Sequence, residues 1–138
     1  MKKYFLASLL AVSTILALNA CTGTKGTIVA ELGVESAMIR YIGSDTGKAE
    51  RALEATKAIR LALEQGQVTT ISELTDVVLG YVDTANPTEQ AFLRAAVALA
   101  LEDLQVVLPT GGLLDGLARD RVLAYLDAVD RAALAVLA

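Results

Sequence analysis

The sequence predicts an all-α protein, a small bundle of about five helices behind an N-terminal leader. Three observations predict it. Apolar residues recur at spacings of three and four along most of the chain, the period of a helix with one buried face. Several of these stretches open on a capping residue and close on Gly or Pro. The 138 residues are 54% hydrophobic and 20% charged, which is too apolar for a disordered chain. The length suits one domain, so the chain divides into a leader at 1–20, a short linker at 21–27 and a helical domain at 28–138.

The leader comes first. Met1-Lys2-Lys3 is a short positive start, and no charge follows from Tyr4 to Leu18. That run has the length of a secretory signal and is short for a bilayer-spanning helix, which needs about 20 apolar residues. Leu18-Asn19-Ala20-Cys21 follows at once. These residues resemble the lipobox of bacterial lipoproteins, with Leu three before Cys and a small residue directly before it. Asn19 departs from the commoner Ala, Ser or Thr. The resemblance covers residues 1–21. It implies that the Cys21 thiol receives a diacylglycerol, that the leader is cut away before Cys21, and that the new amine is acylated, commonly with palmitate. Several acyl chains hold a protein firmly on a bilayer. Removal of Lys2 and Lys3 would leave 10 basic against 16 acidic side chains, a side-chain charge of −6. Thr22 follows Cys21 where an Asp would signal retention. The resemblance therefore implies an outer-membrane protein facing the periplasm if the host is Gram-negative.

The mature chain reads as five helices. Thr22 to Thr27 is a linker, and the first helix spans about Thr27 to Ile42, stopped by Gly43. The second spans about Thr46 to Gln65. Ala49, Ala52, Leu53, Ile59, Ala62 and Leu63 form its stripe, and Arg60 and Glu64 are expected on its wet side. Thr70-Ile71-Ser72-Glu73 is a capping box for a third helix to about Asp83, with Ile71, Leu74, Val78 and Val82 inward. Asn86-Pro87 opens the fourth, which continues to about Val107. Between Ala91 and Leu101 its only charge is Arg94, so it is expected to be the central, buried helix, with Leu101 and Leu104 in the core. Pro109-Thr110-Gly111-Gly112 is a loop. The last helix spans about Leu113 to Val136, with Leu114, Ala118, Val122, Tyr125, Val129 and Ala133 inward. Asp115/Arg119 and Asp127/Arg131 are expected as pairs along its outside.

The chemistry on offer is thin. With no His, neither Ser-His-Asp nor Cys-His catalysis nor a His-ligated metal is available, and a lone Cys makes no internal disulfide or Cys-cluster zinc site. The acidic balance argues against a nucleic-acid partner. Gly43-Ser44-Asp45-Thr46-Gly47-Lys48-Ala49 imitates a phosphate loop but lacks one spacer residue and the Mg²⁺-binding hydroxyl, and it follows a helix rather than a strand. The competing reading is an inter-helix turn with Ser44, Asp45 or Thr46 as cap. Glu31 with Glu35, and Asp127 with Asp130, are close enough in sequence to form acid pairs. On polar helix faces they read as solvated surface. Glu102-Asp103 lies on the apolar helix, and one of the two is expected to face the solvent edge or to pair with Arg94 or a neighbouring helix. The segment Ala132 to Ala138 has no charged side chain and reads either as the last turns packed on the bundle or as an exposed patch for a partner.

These readings converge on a non-enzymatic binding or adaptor lipoprotein of the cell envelope, held to the membrane through Cys21. It would need no cofactor and no metal, and it would meet a protein partner in the envelope. Pilotin-like chaperones, assembly adaptors and phage or plasmid exclusion or lysis lipoproteins share that outline, and no motif selects among them. The alternative is an envelope hydrolase using carboxylates.

Overall fold

The computed structural model describes residues 23–138; the leader, the Leu18 to Cys21 motif and Cys21 itself lie outside the described residues. Five helices follow in order: α1 (Gly23–Ile42), α2 (Thr46–Glu64), α3 (Ile71–Val82), α4 (Pro87–Gln105) and α5 (Leu117–Leu137). Among the described residues there is no strand, only one isolated antiparallel bridge between Thr70 and Leu113. The all-α bundle expected from the spacing is what forms.

The helix starts follow the capping chemistry. Asp45 caps α2, accepting the backbone N–H of Lys48 at 3.1 Å. Thr70 caps α3 by accepting from Glu73 N–H at 3.2 Å. The reciprocal arm of that box differs: the Glu73 carboxylate accepts from the hydroxyls of Thr69 and Thr70 instead. Asn86 caps α4 through Glu89 N–H at 2.9 Å, with Pro87 in the first turn. Each such cap contributes about 1 kcal/mol by satisfying a donor the helix leaves open. Gly43 takes the left-handed backbone that stops α1.

The last helix starts later than its apolar pattern suggests. Leu113 and Leu114 are taken up by a short pairing with the α2–α3 connection, in which Leu114 N–H donates to Thr69 O at 2.8 Å and Ile71 N–H donates to Gly112 O at 2.8 Å. Gly112 is required there twice over. Its φ is +71°, and a Cβ would stand 2.9 Å from Ile71 Cγ2. The chain turns helical only after Gly116.

The central helix is α5, not α4. Ala118, Val122, Tyr125, Leu126, Ala128, Ala132 and Ala133 are buried on it, whereas α4 buries only Ala96 and Leu104. The backbones of α1 and α2 pack along α5, and α4 lies mainly against α1, where Gly33 lets Leu99 approach. The apolar residues of α4 are divided among three surroundings. Leu104 is buried in the core and also borders a cavity, Leu93, Val97, Ala100 and Leu101 line the same cavity while only partly buried, and Phe92 and Leu99 stand at the surface. Leu101 is thus half-buried and Leu104 is the true core position.

Removing Leu104 should leave a cavity that the surrounding helices only partly close. Leu104→Ala is expected to lower stability by about 2–5 kcal/mol. Ala128→Leu should cost about 1–3 kcal/mol by forcing α5 off its neighbours. Exposed Glu64→Ala should stay within about 0.5 kcal/mol. Urea unfolding followed by far-UV circular dichroism measures all three, and equal losses would show the assigned helix faces to be wrong.

Candidate functional site

An apolar cavity of about 440 Å³ lies between the helices. The backbones of α2 and α4 do not approach each other, and the cavity fills the gap between them. Its floor is α5 with the second half of α1, through Val122, Tyr125, Val129, Val34 and Met38. Its walls are α2 and α4. Its roof is α3, through Ile71, Leu74, Val78 and Val82. The α3 backbone comes close only to those of α2 and α4, so the roof is the most thinly held element. Ala100 packs against both hydrophobic clusters of the bundle, and residues of both line the cavity.

Polar groups stand mostly at its rim. Arg51, Glu54, Tyr81 and Thr84 line the cavity and are exposed, and Tyr41 is half-buried beside them. Among the described residues Arg51 and the hydroxyls of Tyr41 and Tyr81 have no hydrogen-bond or ion-pair partner, while the Thr84 hydroxyl donates to Tyr81 O at 2.6 Å. Deeper in, the buried Thr56 hydroxyl donates to Asp130 Oδ1 at 2.5 Å, with Leu53 O at 3.0 Å as its other acceptor.

The acidic residues named from the sequence are engaged in ion pairs between helices. Arg60 of α2 reaches across to α5, donating to Asp127 Oδ1 at 2.5 Å and Asp130 Oδ2 at 2.6 Å, rather than pairing with Glu64. Burial disfavours the charged Arg60, and the two carboxylates more than offset it, so its pKa lies above the ordinary value. Arg131 of α5 meets Glu35 at 3.3 Å and Glu31 at 3.6 Å on α1, rather than Asp127. Glu31, Glu35 and Asp130 are therefore only partly solvated, at 24%, 24% and 19% side-chain exposure, and do not form isolated acid pairs on open helix faces. Glu102 faces solvent and Asp103 meets a neighbouring helix, both among the sequence expectations: Arg121 pairs with Asp103 at 3.3 Å, and the Tyr125 hydroxyl donates to Asp103 Oδ2. Arg94 turns instead to Asp83, at 3.3 Å.

The phosphate-loop imitation is the turn between α1 and α2. Lys48 is bound into it, donating to Glu89 of α4 and standing 5.3 Å over the Tyr41 ring. The hydrogen bond to Glu89 raises its pKa above the ordinary value against the opposing effect of burial. In the C-terminal segment Ala132 and Ala133 are fully packed and Leu134 and Leu137 are exposed, so the segment is half core and half surface. No group of three or more His, Cys, Asp or Glu among the described residues is placed to hold a metal, and no described helix is long and apolar enough to cross a membrane. The cavity was not legible in the sequence. Its only trace is the surplus of apolar residues on α4, more than one buried face requires.

No family model, curated protein or solved structure matches this chain.

The Tyr125 hydroxyl is held protonated. Burial first, and then the hydrogen bond to Asp103, push its pKa well above the ordinary 10.0. A group whose folded pKa is raised stabilises the fold fully below its unfolded pKa, and that contribution is lost as pH rises through and beyond about 10. Urea midpoints should fall above about pH 10, and Tyr125→Phe should flatten that fall while costing about 1 kcal/mol at neutral pH for the lost hydrogen bond. An unchanged alkaline slope in Tyr125→Phe would refute the assignment.

Proposed function

We propose that this chain is a lipid-anchored, non-enzymatic binding module of the bacterial cell envelope, tethered through Cys21 and facing the periplasm from the outer membrane if the host is Gram-negative. The observation that carries the binding half is the 440 Å³ cavity lined chiefly by carbon. Its size falls within the range of about 300–1,000 Å³ typical of ligand sites, and a few polar groups at the rim are what such sites use for orientation. The acids that a hydrolase would need support the same reading by their engagement. Asp103, Asp127, Asp130, Glu31 and Glu35 each face an arginine. A carboxylate that holds a guanidinium is poorly placed to take or give a proton at a substrate.

The anchoring half rests on Leu18-Asn19-Ala20-Cys21 behind an uncharged run. A lipid at Cys21 stands two residues before α1, so the bundle would ride close to the bilayer surface. A body in that position is suited to meeting an envelope protein as an adaptor.

The full chain expressed in a bacterium should take up labelled palmitate and fractionate with the envelope. Cys21→Ala should abolish the label and leave an uncleaved or mislocalised precursor. Unchanged labelling of Cys21→Ala would refute the anchor. Crosslinking in native membranes should recover an envelope protein without turnover of a substrate, and a hydrolysis abolished by a carboxylate variant would refute the binding reading.

A further inference from the structure

The cavity's volume of about 440 Å³ lies within the range of about 300–1,000 Å³ of small-molecule sites. Met38, Leu74, Val97, Ala100, Leu104 and Val122 line it and offer no hydrogen-bonding side chains to a guest. A lining of this kind suits an alkyl chain.

The rim selects the head of that guest. Arg51 has no ion-pair partner among the described residues, and the hydroxyls of Tyr41 and Tyr81, which line the same cavity, have no protein partner. One cation with two free hydroxyls suits a single negative charge with oxygen acceptors. Glu54 also lines the cavity, one helical turn from Arg51, and opposes a second negative charge. We infer that the cavity is a binding site for a single-chain fatty-acid carboxylate, its chain between α2 and α4 under α3 and its head at Arg51, Tyr41 and Tyr81.

The chain's own anchor is a poor candidate for the same space. Along α1, Gly23 precedes Val34, the first cavity residue, by eleven positions and Tyr41 by eighteen. At 1.5 Å per residue these are roughly 16 Å and 27 Å, so the rim group lies at the far end of α1 from Cys21. The inference thus goes beyond the proposed adaptor role and does not require the anchor.

The test uses the full chain in phosphatidylethanolamine–phosphatidylglycerol vesicles with a tetradecanoate carrying a mid-chain diazirine. Irradiation should place adducts on the peptides of α4 and α5 that line the cavity, and unlabelled tetradecanoate should compete them away. Ala100→Phe, which fills the space, should cut adduct yield about tenfold, as loss of one well-buried contact surface does. Arg51→Gln should weaken competition about threefold, the size of one exposed ion pair. Val97→Trp repeats the filling test if circular dichroism shows Ala100→Phe unfolded. Adducts spread over exposed Leu113, Leu117 and Leu134, or adducts that unlabelled tetradecanoate does not displace, would overturn the proposal. Adducts that appear only in Cys21→Ala would overturn it in favour of the protein's own acyl chain, and displacement by diacyl phospholipid alone would overturn it in favour of the bilayer lipid. Loss of palmitate at Cys21 with cavity labelling intact would refute the anchor and leave this site standing.

Discussion

The close packing of α5 sets the positions of α1 and α2 and, through α1, of α4. Its alanines at 118, 128, 132 and 133 are almost wholly removed from water. Small side chains at these positions let α1 and α2 approach, and the larger Val122, Tyr125 and Leu126 fill the space on the next face. Apolar area removed from water is worth about 25 cal/mol per Å², and dense packing makes even one added methylene felt. With α5 fixed, α1 and α2 have little freedom, and α4 is placed by α1. Helix α3 is the exception. It leans on its neighbours rather than on α5, which leaves it as the roof of a void.

The same helix carries the polar organisation. Arg121, Arg131 and the acid pair Asp127 and Asp130 connect α5 to α4, α1 and α2 respectively. Exposed members of this set contribute little individually, since surface ion pairs are worth about 0–1 kcal/mol. Asp103 with Arg121 is different, because both side chains are only 13% exposed. Removing one partner there strands the other away from water, which destabilises far more than the intact pair stabilises. Together the pairs penalise sliding or rotation of α5 against its neighbours, so they specify register more than they add stability.

This explains what was legible in the sequence and what was not. Helix number and most boundaries were legible because they depend on local chemistry: Asp45, Thr70 and Asn86 cap within three residues of themselves, and Gly43 stops a helix alone. Side-chain pairing was not, because spacing of four along one helix competes with partners on another. Arg60 lies four residues from Glu64 and prefers Asp127 and Asp130, because a partly buried guanidinium with two carboxylates loses less to solvent. The start of α5 was missed because Leu113 and Leu114 fit the helical pattern while Gly112 and Gly116 bind them into the crossover. The choice of central helix failed for a related reason. Periodicity counts apolar residues, and α5 hides its core among charges that turn out to bridge.

Helix α4 shows how a void arises from such a sequence. A helix that is apolar on nearly every side is normally surrounded by protein. Here α4 has a close neighbour in α1 but none in α2, so one of its apolar faces is left opposite another apolar face across open space. Folding alone favours closing such a gap, because atoms lining a void lose their dispersion contacts. Leu99 packed against Gly33 ties α4 to α1, and the Asp103–Arg121 pair ties it to α5. Helix α4 is thus held by α1 and α5 and not by α2, and the thinly held α3 covers the gap. The stability lost to an unfilled void is what an apolar guest would restore, and binding to the folded state alone would appear as added stability in proportion to the logarithm of ligand concentration.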